Sequence, residues 1–134
     1  MGKDRIGFIG TGLMGHGMAK NIVEKGYPLA VLAHRNRAPV EDLIGRGATE
    51  AASARALAES CDIVILCVTG SPQVETVVNG PDGLAAGAHP GLTVIDCSTS
   101  EPTLTRRLAQ DLAPRGVTFL DAPLSRTPKE AWEG

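Results

Sequence analysis

The run from Ile6 to Tyr27, IGFIGTGLMGHGMAKNIVEKGY, constrains the fold of this chain more than any other segment. It begins with a short apolar stretch typical of a β-strand and ends in residues that favour a helix. Between them lie Gly10, Gly12 and Gly15 in the spacing G-x-G-x-x-G. A strand that enters this motif and a helix that leaves it are typical of a dinucleotide-binding turn. We therefore predict that this segment binds a pyrophosphate.

Each glycine of the motif has its own physical reason. Gly10 allows a tight turn, Gly12 lets the backbone approach a pyrophosphate, and Gly15 lets the helix pack against the strand. The helix N-terminus presents unpaired N–H groups to the anion. The alternative is a glycine-rich turn without a ligand. His16 is predicted to lie on the helix surface rather than to act in catalysis, and Gly17 lies outside the motif.

The rest of the chain alternates between apolar runs and stretches that favour helices, which is typical of βαβ units. The fold class is therefore predicted to be α/β, with a doubly wound, mostly parallel sheet of the Rossmann type. We interpret residues 1–134 as one NAD(P)-binding domain. The predicted strands are 5–10, 28–33, a short one near Ala48, 61–68, 92–97 and 117–123, and the predicted helices are 14–25, 40–45, 54–60, 72–79 and 101–116.

Composition excludes several classes of function. The formal net charge of -2 over 134 residues argues against a nucleic-acid partner. No apolar run reaches the length of a membrane span and no signal-peptide core is present, so we expect no membrane partner and a cytoplasmic protein. The three cysteines form no CxxC pair and the three histidines lack metal-ligand spacing. We expect free, buried thiols and no metal site.

The segment after the second predicted strand bears on the choice of cofactor. A carboxylate at this place would hold the ribose 2′-hydroxyl of NAD. The sequence VLAHRNRAPV has no Asp or Glu there but contains Arg35 and Arg37, and guanidinium groups suit a 2′-phosphate. We therefore predict NADP as the preferred cofactor, with NAD possible. The alternative is that both arginines only coat a loop that faces solvent.

Four motifs in order give the chain a resemblance to a known family. They are GFIGTGLMGHGMAKNI, HRN after the second predicted strand, DCSTS after the fifth and DAPLS after the sixth. With them the whole chain resembles the β-hydroxyacid dehydrogenase family, which includes 3-hydroxyisobutyrate dehydrogenase, tartronate semialdehyde reductase and, more distantly, 6-phosphogluconate dehydrogenase. The resemblance implies an oxidoreductase that transfers hydride between a nicotinamide and a small 3-hydroxy acid or its semialdehyde.

The resemblance also implies roles for the matched positions. The cofactor-binding residues would be those of the glycine turn, of the loop after the second strand and of the loops after the fourth and fifth strands: Gly10, Thr11, Gly12, Leu13, Met14, Gly15, His34, Arg35, Asn36, Val68, Thr69 and Thr99. From the residues alone, the alternative for the STS of DCSTS is that it caps the following helix at Glu101 and Pro102.

Two departures from the family pattern concern the substrate and the catalytic group. The family continues DAPVSGG, whereas this chain has Ser125 as the implied substrate-binding serine and then Arg126 and Thr127 in place of the glycines. Arg126 is a candidate clamp for a carboxylate substrate, or a residue that excludes the usual substrates. The family's catalytic lysine lies well downstream, in a helical second domain, and Lys129 does not match its position. No catalytic residue is therefore assigned in this chain.

From these departures we expect the chain to be the dinucleotide-binding part of a longer enzyme. The chain alone would then bind dinucleotide but turn over poorly, and the parent protein would be a homo-oligomer that acts on a small carboxylate. Two alternatives are an enzyme similar to imine reductases and a non-catalytic module that binds NADP(H).

Overall fold

A computed structural model describes residues 3–124 and 127–134 of the protein. Within them, six β-strands alternate with helices in the order that the sequence predicts. The strands are β1 Ile6–Ile9, β2 Leu29–Leu32, β3 Thr49–Glu50, β4 Ile63–Leu66, β5 Thr93–Asp96 and β6 Thr118–Asp121. The helices are α1 Gly15–Glu24, α2 Ala38–Gly45, α3 Ala54–Ser60, α4 Ser71–Asn79, α5 Leu84–Gly87, α6 Pro102–Leu112, which continues into a 3₁₀ turn, and α7 Pro128–Glu133.

The strands form one parallel sheet in the order β3-β2-β1-β4-β5-β6. The chain moves outward from β1 to β3, then crosses back to place β4 on the other side of β1. This reversal of direction separates the loops that leave β1 and β4 and opens a crevice between them. In open α/β sheets, ligands bind in the crevice that such a reversal creates at the carboxyl ends of the strands. The predicted doubly wound Rossmann fold is confirmed.

Apolar side chains fill both faces of the sheet. On one face, Phe8 and Val31 are fully buried under α1 and α2. On the other face, Leu66, Val94 and Phe119 pack against α3, α4, α5 and α6. The helices bury their apolar stripes on a sheet whose strands alternate between the two faces, and this burial is the main stabilising contribution to such a fold.

The predicted elements differ from the observed ones mainly at their ends. Helix α1 ends as expected, because Gly26 adopts a left-handed φ of +88° and its N–H donates to the Val23 carbonyl. The sequence interpretation missed α5 and α7, which are only four and six residues long. For α7 the signal was present, since Thr127, Pro128 and Glu130 form a capping box with proline in the first turn.

Candidate functional site

The glycine turn between β1 and α1 has the geometry that the motif predicts. Gly10 has a left-handed φ of +101°, and a Cβ there would overlap the Cys67 carbonyl oxygen. A Cβ at Gly15 would overlap the Gly10 carbonyl oxygen and lie 2.9 Å from Cε1 of Phe8. Both glycines are therefore required by the fold itself, one by the turn and the other by the packing of α1 against β1.

Gly12 differs from the other two glycines of the motif. Apart from its chain neighbours, no atom of the described residues lies within 4 Å of a Cβ built at Gly12. The adjacent Leu13 side chain is 85% exposed, and Thr11 and Met14 flank the two on either side. The fold leaves free space at the centre of the motif, so packing within the described chain gives no reason for glycine at this position.

The N-terminus of α1 opens into this free space. Within the part of the chain that the structure describes, no side chain caps α1 and no acidic residue lies in its first turn. The first N–H groups of a helix have no intrahelical partner and carry partial positive charge. Together with the space over Gly12, they form a site that fits the pyrophosphate of a dinucleotide.

The loops after β4 and β5 meet beside the glycine turn. The Val68 N–H donates a hydrogen bond of 2.9 Å to Oγ of the buried Ser98, which ties the two loops together. A Cβ at Gly10 would lie 3.2 Å from the Val68 nitrogen, so the β4 loop borders the turn. Thr69 and Thr99 are exposed at this edge. The fold thus brings together the loops that the sequence interpretation assigned to one site.

Asp96 organises the β5 loop, and the sequence interpretation missed it. It is the last residue of β5 and is completely buried. Its Oδ1 accepts from the Ser98 N–H at 2.9 Å and its Oδ2 accepts from the Ser100 hydroxyl at 2.5 Å. The sequence did hold a signal, because Asp96 ends an apolar run and is followed, after Cys97, by three hydroxyl residues. A buried carboxylate needs hydrogen-bond donors, and these neighbours can supply them.

This network corrects the alternative interpretation of the STS sequence as a helix cap. The N-cap position of α6 is Glu101, and it makes no side-chain cap hydrogen bond. The Ser100 hydroxyl is instead directed to Asp96. The hydroxyl of Ser71 accepts from the Glu101 N–H at 2.8 Å. The first residue of α4 therefore takes over part of the capping that DCSTS was expected to supply.

Replacement of Asp96 by alanine is expected to destabilise the protein by about 2–3 kcal/mol, because the buried Ser98 N–H loses its acceptor. Dinucleotide affinity should fall as well, since the loop that carries Thr99 loses its anchor. Urea denaturation and a nicotinamide fluorescence titration measure the two effects. Asp96→Asn keeps the Oδ1 acceptor and should show the smaller loss of stability; an equal loss in both variants would contradict the assigned network.

At the other end of the site, the loop after β2 carries His34, Arg35 and Asn36, all exposed. The Asn36 Oδ1 accepts from the Ala38 N–H at 3.1 Å, which shapes the turn into α2. No hydrogen bond or ion pair joins Arg35 to another of the described residues. Its guanidinium group faces the solvent next to the carboxyl end of β2.

The sequence offered Arg37 as a second guanidinium for a 2′-phosphate, but in the structure this side chain is already paired. Its guanidinium donates two hydrogen bonds, of 3.0 and 2.8 Å, to the Glu50 carboxylate. This pairing raises the pKa of Arg37 and lowers the pKa of Glu50. Glu50 lies in β3, opposite Val31 of β2, so a distant strand supplies the partner that the local sequence does not show. Arg35 is the remaining candidate for a 2′-phosphate.

The candidate substrate residues Ser125 and Arg126 lie outside the described residues. Thr127, which replaces a family glycine, forms the capping box of α7 with Glu130. Lys129 lies in the first turn of α7 and is exposed.

Cys67 and Cys97 follow β4 and β5 at this edge of the sheet, whereas Cys61 precedes β4 at the opposite edge. All three cysteines are free thiols; Cys61 and Cys97 are buried as predicted, whereas Cys67 is only partly buried. Burial raises the pKa of Cys67, and burial together with the neighbouring Cys67 raises the pKa of Cys97 to about 11. Both thiols therefore stay protonated near neutral pH, where the thiolate would be the reactive form.

Two features are absent from the residues that the structure describes. No group of three or more histidine, cysteine, aspartate or glutamate side chains in them is placed to hold a metal ion. None of their helices has the length and apolar character needed to cross a membrane.

Known proteins resemble this chain over nearly its whole length. Residues 5–134 match the model of the NAD binding domain of 6-phosphogluconate dehydrogenase. A 2-hydroxy-3-oxopropionate reductase of Escherichia coli is 37% identical over 131 residues, which are 97% of this chain and 44% of that protein. An NAD-dependent L-serine dehydrogenase of Pseudomonas aeruginosa is 40% identical over 121 residues, 90% of this chain and 40% of that protein.

Solved structures agree with these sequence relationships. The crystal structure of a 3-hydroxyisobutyrate dehydrogenase from Salmonella typhimurium superposes with a TM-score of 0.89 at 30% identity, and the match covers 98% of this chain and 45% of that one. The chain thus spans less than half the length of the relatives it matches. Fold, glycine turn and family model agree, and the chain belongs to the family of the NAD binding domain of 6-phosphogluconate dehydrogenase.

Proposed function

We propose that this chain binds NADP in preference to NAD and forms the nucleotide-binding part of an enzyme that interconverts a small 3-hydroxy acid and its semialdehyde. The observation that carries the proposal is the free space over Gly12 at the uncapped N-terminus of α1. When bound, the nicotinamide supplies hydride chemistry, and the protein supplies binding and orientation.

Each loop has a separate task in this proposal. The turn from Gly10 to Gly15 binds the pyrophosphate through backbone N–H groups. Thr99 contacts the nicotinamide end, where the network of Asp96 holds its loop. Val68 and Thr69 line the crevice from the β4 side. Ser125 and Arg126 would bind the substrate carboxylate, as their place after DAPL implies by resemblance.

The preference for NADP rests on the two arginines of the β2 loop. Arg35 has no partner among the described residues, whereas Glu50 holds Arg37. The loop itself has no carboxylate that would accept from the 2′-hydroxyl of NAD. A free guanidinium beside the ribose favours a 2′-phosphate through charge-assisted hydrogen bonds. The relative from Pseudomonas aeruginosa is named as NAD-dependent, so cofactor preference needs a direct measurement.

Parallel titrations of the chain with NADPH and NADH, followed by nicotinamide fluorescence, test this proposal. We expect tighter binding of NADPH. Arg35→Ala should cost about 1.5–3 kcal/mol of NADPH binding, roughly 10- to 150-fold in affinity. NADH binding should change little, because it has no phosphate for Arg35 to contact.

Arg37→Ala is the matched control, since it removes the same group from the same loop. It should leave the ratio of the two affinities nearly unchanged, because Glu50 already holds Arg37. Equal losses for NADPH and NADH in Arg35→Ala would contradict the assignment of Arg35. A larger loss of NADPH in Arg37→Ala than in Arg35→Ala would assign the 2′-phosphate to Arg37 instead.

For the complete protein, we propose turnover of a small hydroxy acid, a homo-oligomer and a cytoplasmic location. The family relationship supports the first of these, because the relatives are named as reductases and dehydrogenases of small hydroxy acids. That the 134-residue chain turns over poorly by itself stays a prediction.

A further inference from the structure

The guanidinium group of Arg37 is bound by a carboxylate at the place where a 2′-phosphate is proposed to bind. Arg37 lies two positions after Arg35, in the loop between β2 and α2. Its two Nη groups donate hydrogen bonds of 3.0 and 2.8 Å to the two carboxylate oxygens of Glu50. Arginine binds carboxylates and phosphates through the same pair of parallel hydrogen bonds. Glu50 therefore occupies the edge of the guanidinium group that a phosphate would need.

The backbone on either side of Arg37 is fixed, so only its side chain is free to change partner. The Asn36 Oδ1 accepts from the Ala38 N–H at 3.1 Å. The Arg37 carbonyl accepts from the Glu41 N–H at 2.9 Å in the first turn of α2. The Arg37 side chain is 51% exposed, so packing alone does not fix its direction. The position of the guanidinium group depends mainly on its ion pairs.

Glu50 is placed beside the β2 loop by the sheet itself. It is the last residue of β3 and lies opposite Val31 of β2 in the parallel register. The N–H of the next residue, Ala51, donates to the Val31 carbonyl at 2.8 Å and fixes the end of the strand. Because the carboxyl ends of β2 and β3 lie side by side, the Glu50 carboxylate meets a side chain of the loop that leaves β2.

A second carboxylate near Arg37 provides a comparison within the same structure. The Glu41 Oε1 lies 3.8 Å from the Arg37 Nε, and the Glu41 side chain is 67% exposed. This distance is too long for a hydrogen bond, and exposed ion pairs of this kind contribute little. Glu41 thus brings the same charge to the same guanidinium group without binding it. Glu50, rather than Glu41, determines where the Arg37 side chain points.

We propose that Glu50 limits the preference for NADP by holding Arg37 away from the 2′-phosphate of the cofactor. The inference rests on the proposed function, because it needs a dinucleotide whose 2′-phosphate binds at the β2 loop. Within this described loop, Arg35 then carries the guanidinium group that is free to bind the phosphate. Glu50 is a specificity residue that contacts no part of the cofactor and acts through Arg37.

Glu50→Gln tests the inference in the 134-residue chain, with NADPH and NADH binding followed by nicotinamide fluorescence. Glutamine keeps the shape of the side chain but lacks the charge that holds the guanidinium group. The released Arg37 should tighten NADPH binding by about fivefold through a charge-assisted hydrogen bond to the phosphate. NADH binding should change little. The matched control is Glu41→Gln, which removes the same charge beside Arg37 and should leave both affinities nearly unchanged.

A double variant, Glu50→Gln with Arg37→Ala, separates the release of Arg37 from the loss of a negative charge. The gain in NADPH affinity should disappear in it. A gain that persists without Arg37 would overturn the proposal, because the carboxylate would then only repel the phosphate. Weaker NADH binding in Glu50→Gln would also overturn it, since Glu50 would then bind the ribose directly. An equal gain in Glu41→Gln would remove the assigned difference between the two carboxylates.

Failure of the proposed function gives a different result from failure of this inference. In the first case the unaltered chain and all the variants bind neither NADPH nor NADH. In the second case the unaltered chain binds NADPH, and Glu50→Gln binds it with the same affinity. Urea denaturation checks that Glu50→Gln is folded, and Glu50→Thr, with a residue that favours strands, is a second variant with the same expected gain.

Discussion

Gly12→Ala is expected to weaken NADPH binding by roughly a hundredfold, about 2.7 kcal/mol, without loss of stability. The Cβ would occupy the space where the pyrophosphate approaches the backbone. The fold can accommodate the added methyl group, because no described atom apart from those of its chain neighbours lies within 4 Å of it. Alanine also restricts the unfolded chain, so the free energy of unfolding should stay the same or rise slightly. Nicotinamide fluorescence and urea denaturation measure the two quantities.

The informative feature of this variant is that binding and stability separate. A loss of stability together with binding would mean that Gly12 serves the fold, and would remove the observation on which the proposed function stands. Unchanged binding of both NADPH and NADH would show that the pyrophosphate does not approach this turn.

Gly15→Ala, unlike Gly12→Ala, is expected to destabilise the protein, by about 4 kcal/mol or more. Its Cβ would overlap the Gly10 carbonyl oxygen and press on the Phe8 ring. Both neighbours belong to the turn and the strand beneath α1, so only a shift of the whole helix relieves the overlap. Because domains of this kind have about 5–15 kcal/mol of stability in total, much of the native state would be lost. Urea denaturation measures the change.

The sign of this effect makes it diagnostic. In a helix, glycine to alanine normally stabilises by about 1 kcal/mol. Gly45→Ala in α2 tests that ordinary gain, because its Cβ would lie in open space. A gain in stability for both Gly15→Ala and Gly45→Ala would show that α1 does not pack as closely on β1 as the structure has it.

Much of the fold could be predicted from local sequence patterns. The turn motif, the alternation of strands and helices and the apolar runs are local patterns, and they were enough to predict the parallel sheet and the geometry of the glycine turn. The capping box of α7 was equally local, from Thr127 to Glu130, and was readable before the structure. Local patterns succeed here because turns, caps and helix periodicity depend on neighbours within a few residues.

Contacts between distant residues needed the tertiary structure. Arg37 and Glu50 meet only because β2 and β3 lie side by side, so the sequence, which favoured Arg35, could not show that Arg37 is paired. Asp96 takes the Ser100 hydroxyl that the sequence equally allowed as a helix cap. Gly17 and Trp132 are 115 positions apart in the chain, and their backbones come close only because α7 packs on α1.

The sequence by itself determined the fold class, and it predicted the dinucleotide turn and the three loops of the candidate site, because each is encoded by residues close together in the chain. Only the tertiary structure decided which polar groups are already paired, which glycine faces empty space and which helix rests on α1. Hydrogen-bond pairing and free space depend on side chains that the fold brings together from distant parts of the chain. The positions of these residues in the sequence do not show which of them will meet.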